Sequence, residues 1–229
     1  MISANLNKSI KLFWDIDGTI LQTNGAAAIP FATAVTDFAG QKVIIDRKKM
    51  SGFTDYEIAN YLLESVKIKA SLQDITGVLE NYSKNLPNNL RQGKVQIIGN
   101  VLDVLRKLKS HPNIELAIAT GNFILGAKAK LNQVGLIDYF QDNDIFCASE
   151  VNWTRDLIIQ SAKNSLKPGQ TGFIIGDSPK DVYSAKNSKL KVIAVATGAH
   201  SLTELSYLNP DYLLTLGWGY EDLMRCIEI

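Results

Sequence analysis

Five apolar runs recur along the chain: "IKLFW" (10–14), "IELAIAT" (114–120), "DIFCA" (144–148), "TGFIIG" (171–176) and "KVIAVAT" (191–197), with a weaker sixth in "DYLL" (211–214). Their hydrophobicity is near-continuous rather than alternating. A strand of that kind is buried on both faces, which is the situation in a parallel sheet covered by helices on each side. Helical patterns separate the runs, so the chain is expected to form a doubly wound, Rossmann-like α/β fold, a parallel sheet sandwiched by helices. With 46% hydrophobic and 21% charged residues over 229 positions, the composition supports a core of that size and gives no reason to expect disorder.

The spacing of the runs is uneven. From Ile114 onward strands and helices alternate at ordinary crossover lengths, but more than ninety residues without a good strand separate Thr19 from Ile114. Three helical patterns occupy the gap: "AAAIPFATAVTDFA", "TDYEIANYLLESV", with Thr54 and Glu57 spaced as a capping box, and "SLQDITGVLENYSKNL", which stops short of Pro87. A further pattern over 100–110 leads back into the sheet. This predicts a catalytic core of residues 1–21 and 96–229 and an inserted all-helical cap of residues 22–95, joined by two linkers.

Charge and residue usage exclude several classes. Twenty-four basic against 23 acidic residues leave a net charge of +1, so no broad field favours nucleic acid or a membrane surface. Cys147 and Cys226 form no CxxC pair and read as buried thiols of a reducing compartment. His111 and His200 fall in turn-like sequence and are expected to be solvated loop residues. The amino-terminal stretch "MISANLNKSI" has no apolar signal-like run, and no segment is long enough to span a bilayer. A cytoplasmic protein, monomer or dimer, is expected, with its chemistry carried by carboxylates.

Three strands end in polar residues of a consistent type. "LFW" runs into Asp15-Ile16-Asp17-Gly18-Thr19, "LAIA" into Thr120-Gly121-Asn122, and "FII" into Gly176-Asp177-Ser178-Pro179-Lys180-Asp181. The carboxyl ends of parallel strands border the ligand crevice of such sheets. Gly18 and Gly121 are expected to let the backbone turn and expose amides, and the helices that follow present positive ends to an anion such as phosphate. Asp15, Asp17, Asp177 and Asp181 offer hard oxygens suited, with water and a phosphate oxygen, to octahedral Mg2+. Blander roles exist for some of these residues. Asp177 and Asp181 fit a helix start with Ser178 at the N-cap and Pro179 at N1, Asn122 fits a helix cap, and Thr120 fits a strand.

"DIDGT" at 15–19, the apolar strand ending at Thr120 and "GDSPKD" at 176–181, in that order, resemble the haloacid dehalogenase superfamily. "TGN" with "AKLNQVGLIDYF", and "GDSPKDVYSAKNSKLKVIAVATG", are similar to its phosphoglycolate-phosphatase-like branch. The resemblance implies a Mg2+-dependent phosphatase acting on a small phosphorylated metabolite through an aspartyl phosphate. Asp15 would be the nucleophile, and Asp17, with a proton favoured by nearby carboxylates, the acid and then the base. Asp15, the Asp17 carbonyl, Asp177 and Asp181 would hold the metal; Thr120, Gly121 and Asn122 would hold phosphoryl oxygens.

One element of the family pattern is missing. The lysine usually found ahead of the "GD" strand falls at about Asn152, in "EVNWTRDLIIQSA". Arg155 is the expected replacement, since a guanidinium binds phosphoryl oxygens in fork geometry; Lys130 is the other candidate. In the insertion, Gly52, Phe53, Thr54 and Asp55 of "MSGFTD" resemble the loop through which helical caps touch substrate, although a turn and a helix cap account for them equally. A phosphomutase, a phosphonate-cleaving relative using Lys48 or Lys49, and a catalytically silent phosphate-binding relative remain alternatives. A dehalogenase is disfavoured by the presence of Asp17.

Overall fold

The computed structural model describes residues 9–46 and 48–227; residues 1–8 and 228–229, counted with the core above, lie outside that range. In chain order the elements are β1 (Ile10–Trp14), β2 (Leu21–Gln22), α1 (Ala28–Ala39), α2 (Asp55–Ser65), α3 (Leu72–Gln92), β3 (Gln96–Ile97), α4 (Val101–Lys109), β4 (Ile114–Phe123) and α5 (Ile124–Gln133). They continue through β5 (Ile145–Ala148), α6 (Arg155–Asn164), β6 (Thr171–Gly176), α7 (Pro179–Asn187), β7 (Lys191–Val195), α8 (Leu202–Ser206), β8 (Tyr212–Leu214) and α9 (Tyr220–Ile227).

The six apolar runs form one parallel sheet in the order β5-β4-β1-β6-β7-β8. Its first strand is central: the chain winds outward through β4 and β5, then returns to the other side of β1 to lay down β6, β7 and β8. The carboxyl end of β1 is therefore the switch point where a crevice opens. Alternate residues of β1 feed two cores. Phe13 packs with Ala117, Ile174 and Ala194 on one face, and Leu12 and Trp14 pack with Ile118, Ile175 and Val195 on the other. Lys11 is buried in this strand because its ammonium is paired with Asp144 at 2.5 Å and lies 5.7 and 5.9 Å from the ring centres of Phe13 and Phe146.

The segment between β1 and α4 has two features that the helical patterns along the chain do not contain. The two linkers are not simple coil: β2 and β3 pair antiparallel, Leu21 with Ile97 and Gln22 with Gln96, so both chain crossings are tied into one ribbon. The last helix does not stop before Pro87 but runs through it to Gln92. Proline has no amide for the preceding turn and disfavours the interior of a helix. Here the apolar stripe Ile75, Val78, Leu79, Tyr82, Leu86 and Leu90 continues on both sides of it, and the burial of that stripe outweighs the lost bond. Leu90, 1% exposed, anchors the turn beyond the proline. Leu90→Ala is expected to cost about 2–5 kcal/mol, measured as a lowered urea midpoint, with loss of helical circular dichroism.

Candidate active site

Trp14, the last residue of β1, pairs with Ile118 of β4 and Ile175 of β6; β6 ends one residue later, and β4 runs on past this level to Phe123. Asp15 follows directly, its amide bonded to the Ile175 carbonyl at 2.9 Å. The chain then reverses around the Ile16 carbonyl, which accepts from the amides of Thr19, Ile20 and Leu21. Gly18 serves that reversal in two ways. Its φ of +82° is in the left-handed region, and a Cβ there would lie 2.4 Å from Asp177 Oδ2.

One carboxylate oxygen from each of Asp15, Asp177 and Asp181 lies within 4.8 Å of the others, and all three residues are buried. Arg155, also buried, reaches this cluster from the first turn of α6. Its Nη2 forms an ion pair with Asp15 Oδ1 at 3.2 Å and donates a hydrogen bond to Asp181 Oδ1. Burial pushes the Asp15 carboxyl up to about 6 even though Arg155 and a hydrogen bond with Thr120 pull the other way. Asp177 is held well above the usual carboxylate range, first by burial and then by the charges of Asp15 and Asp181; the Thr19 hydroxyl, 3.3 Å away, is a weak counterweight. Asp181 does two jobs: Oδ2 accepts from Ser178 in the capping box that starts α7, and Oδ1 meets Arg155. One guanidinium for three buried carboxylates leaves a hard, anionic donor set of the kind a divalent cation fits.

Asp17 sits in different surroundings. Its side chain is 41% exposed, and Oδ2 accepts from Lys130 at 2.6 Å and from Asn122 at 2.8 Å. Lys130, the second candidate for a phosphate partner, is thus bound to Asp17 and Asn122, whereas Arg155 lies on the Asp15 side. Two expectations about β4 need correction. Gly121 makes no turn: it continues the strand, and its missing side chain matters because a Cβ would come within 3.0 Å of Phe53 O and Thr54 Cα. Asn122 caps no helix, because Phe123 occupies that position, and its amide spans Asp17 and the Thr120 hydroxyl. Thr120 is completely buried behind the strand end.

The segment 52–57 docks on this edge. Thr54 and Glu57 form the predicted capping box, and Thr54 Oγ1 also donates to the Trp153 carbonyl at 2.6 Å. Asp55 Oδ2 accepts from the Phe123 amide at 2.7 Å, and Glu57 binds Lys180 at 2.8 and 2.9 Å. His200 is not simply solvated, since its Nε2 lies 3.1 Å from Ser51 Oγ. A cleft of about 710 Å³ remains between this segment and the strand ends, lined on its sheet side by Asp15, Asp17, Gly121, Asn122, Lys130 and Arg155. Gly52, Phe53 and Asp55 face it from the helical side.

Sequence reasoning missed three residues. Thr19 bonds Asp177, Thr197 Oγ1 donates to the Gly18 carbonyl at 2.6 Å, and Gly198 leaves room for Asp177, whose Oδ2 lies 1.6 Å from where a Cβ would stand. A signal for the last two existed. The triplet Ala-Thr-Gly at 119–121 within β4 recurs after β7 at 196–198.

The haloacid dehalogenase-like hydrolase family model matches residues 12–195, most of the chain. Among similar proteins, the "Probable phosphatase IndB" of Dickeya dadantii is 22% identical over 207 residues, covering 89% of this chain and 88% of the relative. The phosphoglycolate phosphatase of Vibrio vulnificus is 24% identical over 220 residues, covering 90% and 92%. The crystal structure of a predicted phosphatase from Clostridium acetobutylicum superposes with a TM-score of 0.72 at 19% identity, over 96% of this chain and 99% of that one.

Burial raises the Asp55 carboxyl to about 6, with Lys130 and the Phe123 amide opposing. A carboxyl raised in the fold costs stability where it must ionise, so the penalty is absent near pH 4, grows between pH 4 and 6 and is full above 6. Asp55→Asn keeps an acceptor for Phe123 and removes the charge. It is expected to melt higher than wild type at pH 8, by up to about 3 kcal/mol, with the gap closing toward pH 4 in a calorimetric series.

Proposed function

The chain belongs to the haloacid dehalogenase-like hydrolase family, and we propose that it is a phosphatase that transfers the phosphoryl group of a small phosphomonoester to Asp15 and then to water. The observation that carries this reading is the contrast between two aspartates two residues apart. Asp15 is buried among carboxylates and faces Arg155, whereas Asp17 is half exposed and bound through one oxygen to Lys130 and Asn122. Asp15 lies within the carboxylate cluster as a nucleophile, and, with Asp17 Oδ2 taken by Lys130 and Asn122, Oδ1 is the oxygen left to exchange a proton with the leaving group and with water. The named relatives are consistent with it.

In the first half-reaction an Asp15 oxygen attacks phosphorus, the bond from phosphorus to the leaving oxygen breaks, and that oxygen takes a proton from Asp17. The Lys130 ammonium stabilises the carboxylate that Asp17 becomes. In the second half Asp17 takes a proton from water, whose oxygen attacks the aspartyl phosphate and frees Asp15. Arg155 Nη1 lies beside Gly121 and makes no hydrogen bond among the described residues, which leaves it available to a phosphoryl oxygen. Gly121 and Asn122 complete that side of the cleft, while Thr120 orients Asp15 from behind.

Mg2+ is the proposed cofactor, held by Asp15, Asp177 and the Asp17 carbonyl, with Asp181, both of whose oxygens are already engaged, binding through water. When bound, the ion neutralises phosphoryl charge and keeps Asp15 ionised. Residues 22–95 are proposed to act as a cap that excludes bulk water, with the 52–57 docking contacts as its closed state.

Hydrolysis is tested by release of inorganic phosphate from an aryl phosphate. Asp15→Asn and chelation by EDTA are each expected to lower the rate about a thousandfold or more, and phosphate release that survives both would overturn the mechanism. Because the ligand carboxyls are raised, Mg2+ must displace protons to bind. The rise in melting temperature on adding Mg2+ is therefore expected to be large at pH 8 and small at pH 5.

A further inference from the structure

The helical wall of the cleft is apolar over its inner part, with Gln22, Thr23, Asn24 and Lys48 nearer the rim. Phe31, Met50, Phe53, Ile58 and Tyr82 face the space opposite the carboxylates, and the rings of Phe31 and Tyr82 pack 4.8 Å apart. Charge is scarce there. Among the described residues the wall offers one buried carboxylate, Asp55, committed to the Phe123 amide, and one cation, Lys48, exposed at the rim. The other cations near the cleft are engaged: Arg155 by Asp15 and Asp181, Lys130 by Asp17, and Lys180 by Glu57. Tyr82, 1% exposed, makes no hydrogen bond through its hydroxyl among the described residues, and the other polar side chains on this side, Gln22, Thr23, Asn24 and Ser51, are neutral as well.

These features constrain what the phosphate is attached to. A leaving group with a carboxylate or a second phosphate would be desolvated beside Asp55 with no buried, unengaged cation among the described residues to receive it. An apolar group would exchange water for Phe31, Met50 and Ile58, and the 710 Å³ cleft is of the size that encloses a drug-like molecule rather than a two-carbon acid. We infer that the substrate is the phosphate monoester of an uncharged, largely apolar alcohol, its body lying against the Phe31–Tyr82 wall. This rests on the hydrolase reading above and narrows it. It also separates this chain from the relative named for phosphoglycolate, whose leaving group is a small carboxylate.

The test is kcat/KM for phosphate release, with Mg2+ present, across ethyl, butyl and hexyl phosphate, phosphoglycolate and inorganic pyrophosphate. Each added methylene is expected to raise kcat/KM by about threefold to fourfold, so hexyl phosphate should exceed ethyl phosphate by roughly a hundredfold. Phosphoglycolate and pyrophosphate, each with a second anionic group, should fall below ethyl phosphate. A flat series, or a preference for phosphoglycolate or pyrophosphate, overturns this inference and leaves the phosphatase reading standing. Absence of hydrolysis throughout the series overturns both.

Two further measurements probe the wall directly. Ile58→Arg, which places a cation on it, is expected to shift the ratio of hexyl phosphate to phosphoglycolate by at least about tenfold toward the acid; an unchanged ratio counts against the inference. Should that variant fail to fold, competitive inhibition of the wild type decides: hexylphosphonate is expected to bind far more tightly than methylphosphonate, and phosphonoacetate no more tightly than either. Tighter binding of phosphonoacetate overturns the proposal.

Discussion

The guanidinium of Arg155 between Asp15 and Asp181 is the contact on which the carboxyl edge of the sheet depends. Three carboxylates converge there, one oxygen of each within 4.8 Å of the others and largely shielded from bulk water, and such a group is unstable without positive charge. Arg155 supplies part of it from the buried first turn of α6, and burial first, then the neighbouring carboxylates, still hold Asp15 and Asp177 above the usual carboxylate range. The remainder is the electrostatic room for a divalent cation and for the phosphoryl group that accompanies it. Structure and chemistry meet in this imbalance, since a fully neutralised cluster would have no use for a metal.

A second constraint fixes the helical segment over that edge. The amino-terminal turn of α2 is pinned by Thr54 to Trp153, by Asp55 to Phe123 and by Glu57 to Lys180, three contacts to three different parts of the sheet domain. Gly121 permits the approach, because a Cβ at that position would stand 3.0 Å from the backbone of Phe53 and Thr54 and push that backbone away. The same residues that shape α2 locally therefore also set the height of the cleft roof, and with it which side chains reach the space above Asp15.

Much of this was legible along the chain. The apolar runs marked all six strands of the main sheet, and the gap between the first two located the helical insertion. The three polar strand ends identified Asp15, Asp17, Asp177 and Asp181 as neighbours-to-be. What was not legible depended on partners distant in sequence. Nothing near Lys130 shows that its ammonium reaches Asp17, 113 residues away. Gly121 looked like a turn because glycine usually signals one, whereas its role comes from a backbone that crosses above it. Pro87 looked like a helix end because local rules make it one, and burial of Leu86 and Leu90 overrode them.

The sequence by itself determined the strand pattern, the position of the insertion and the four aspartates, because hydrophobic period and residue chemistry are local properties of the chain. Tertiary structure alone decided which cation serves which carboxylate, that Thr120 stands behind Asp15, and that the wall facing the site is apolar. Those outcomes depend on distances between elements brought together only when the sheet is wound around β1 and α2 is docked across its end.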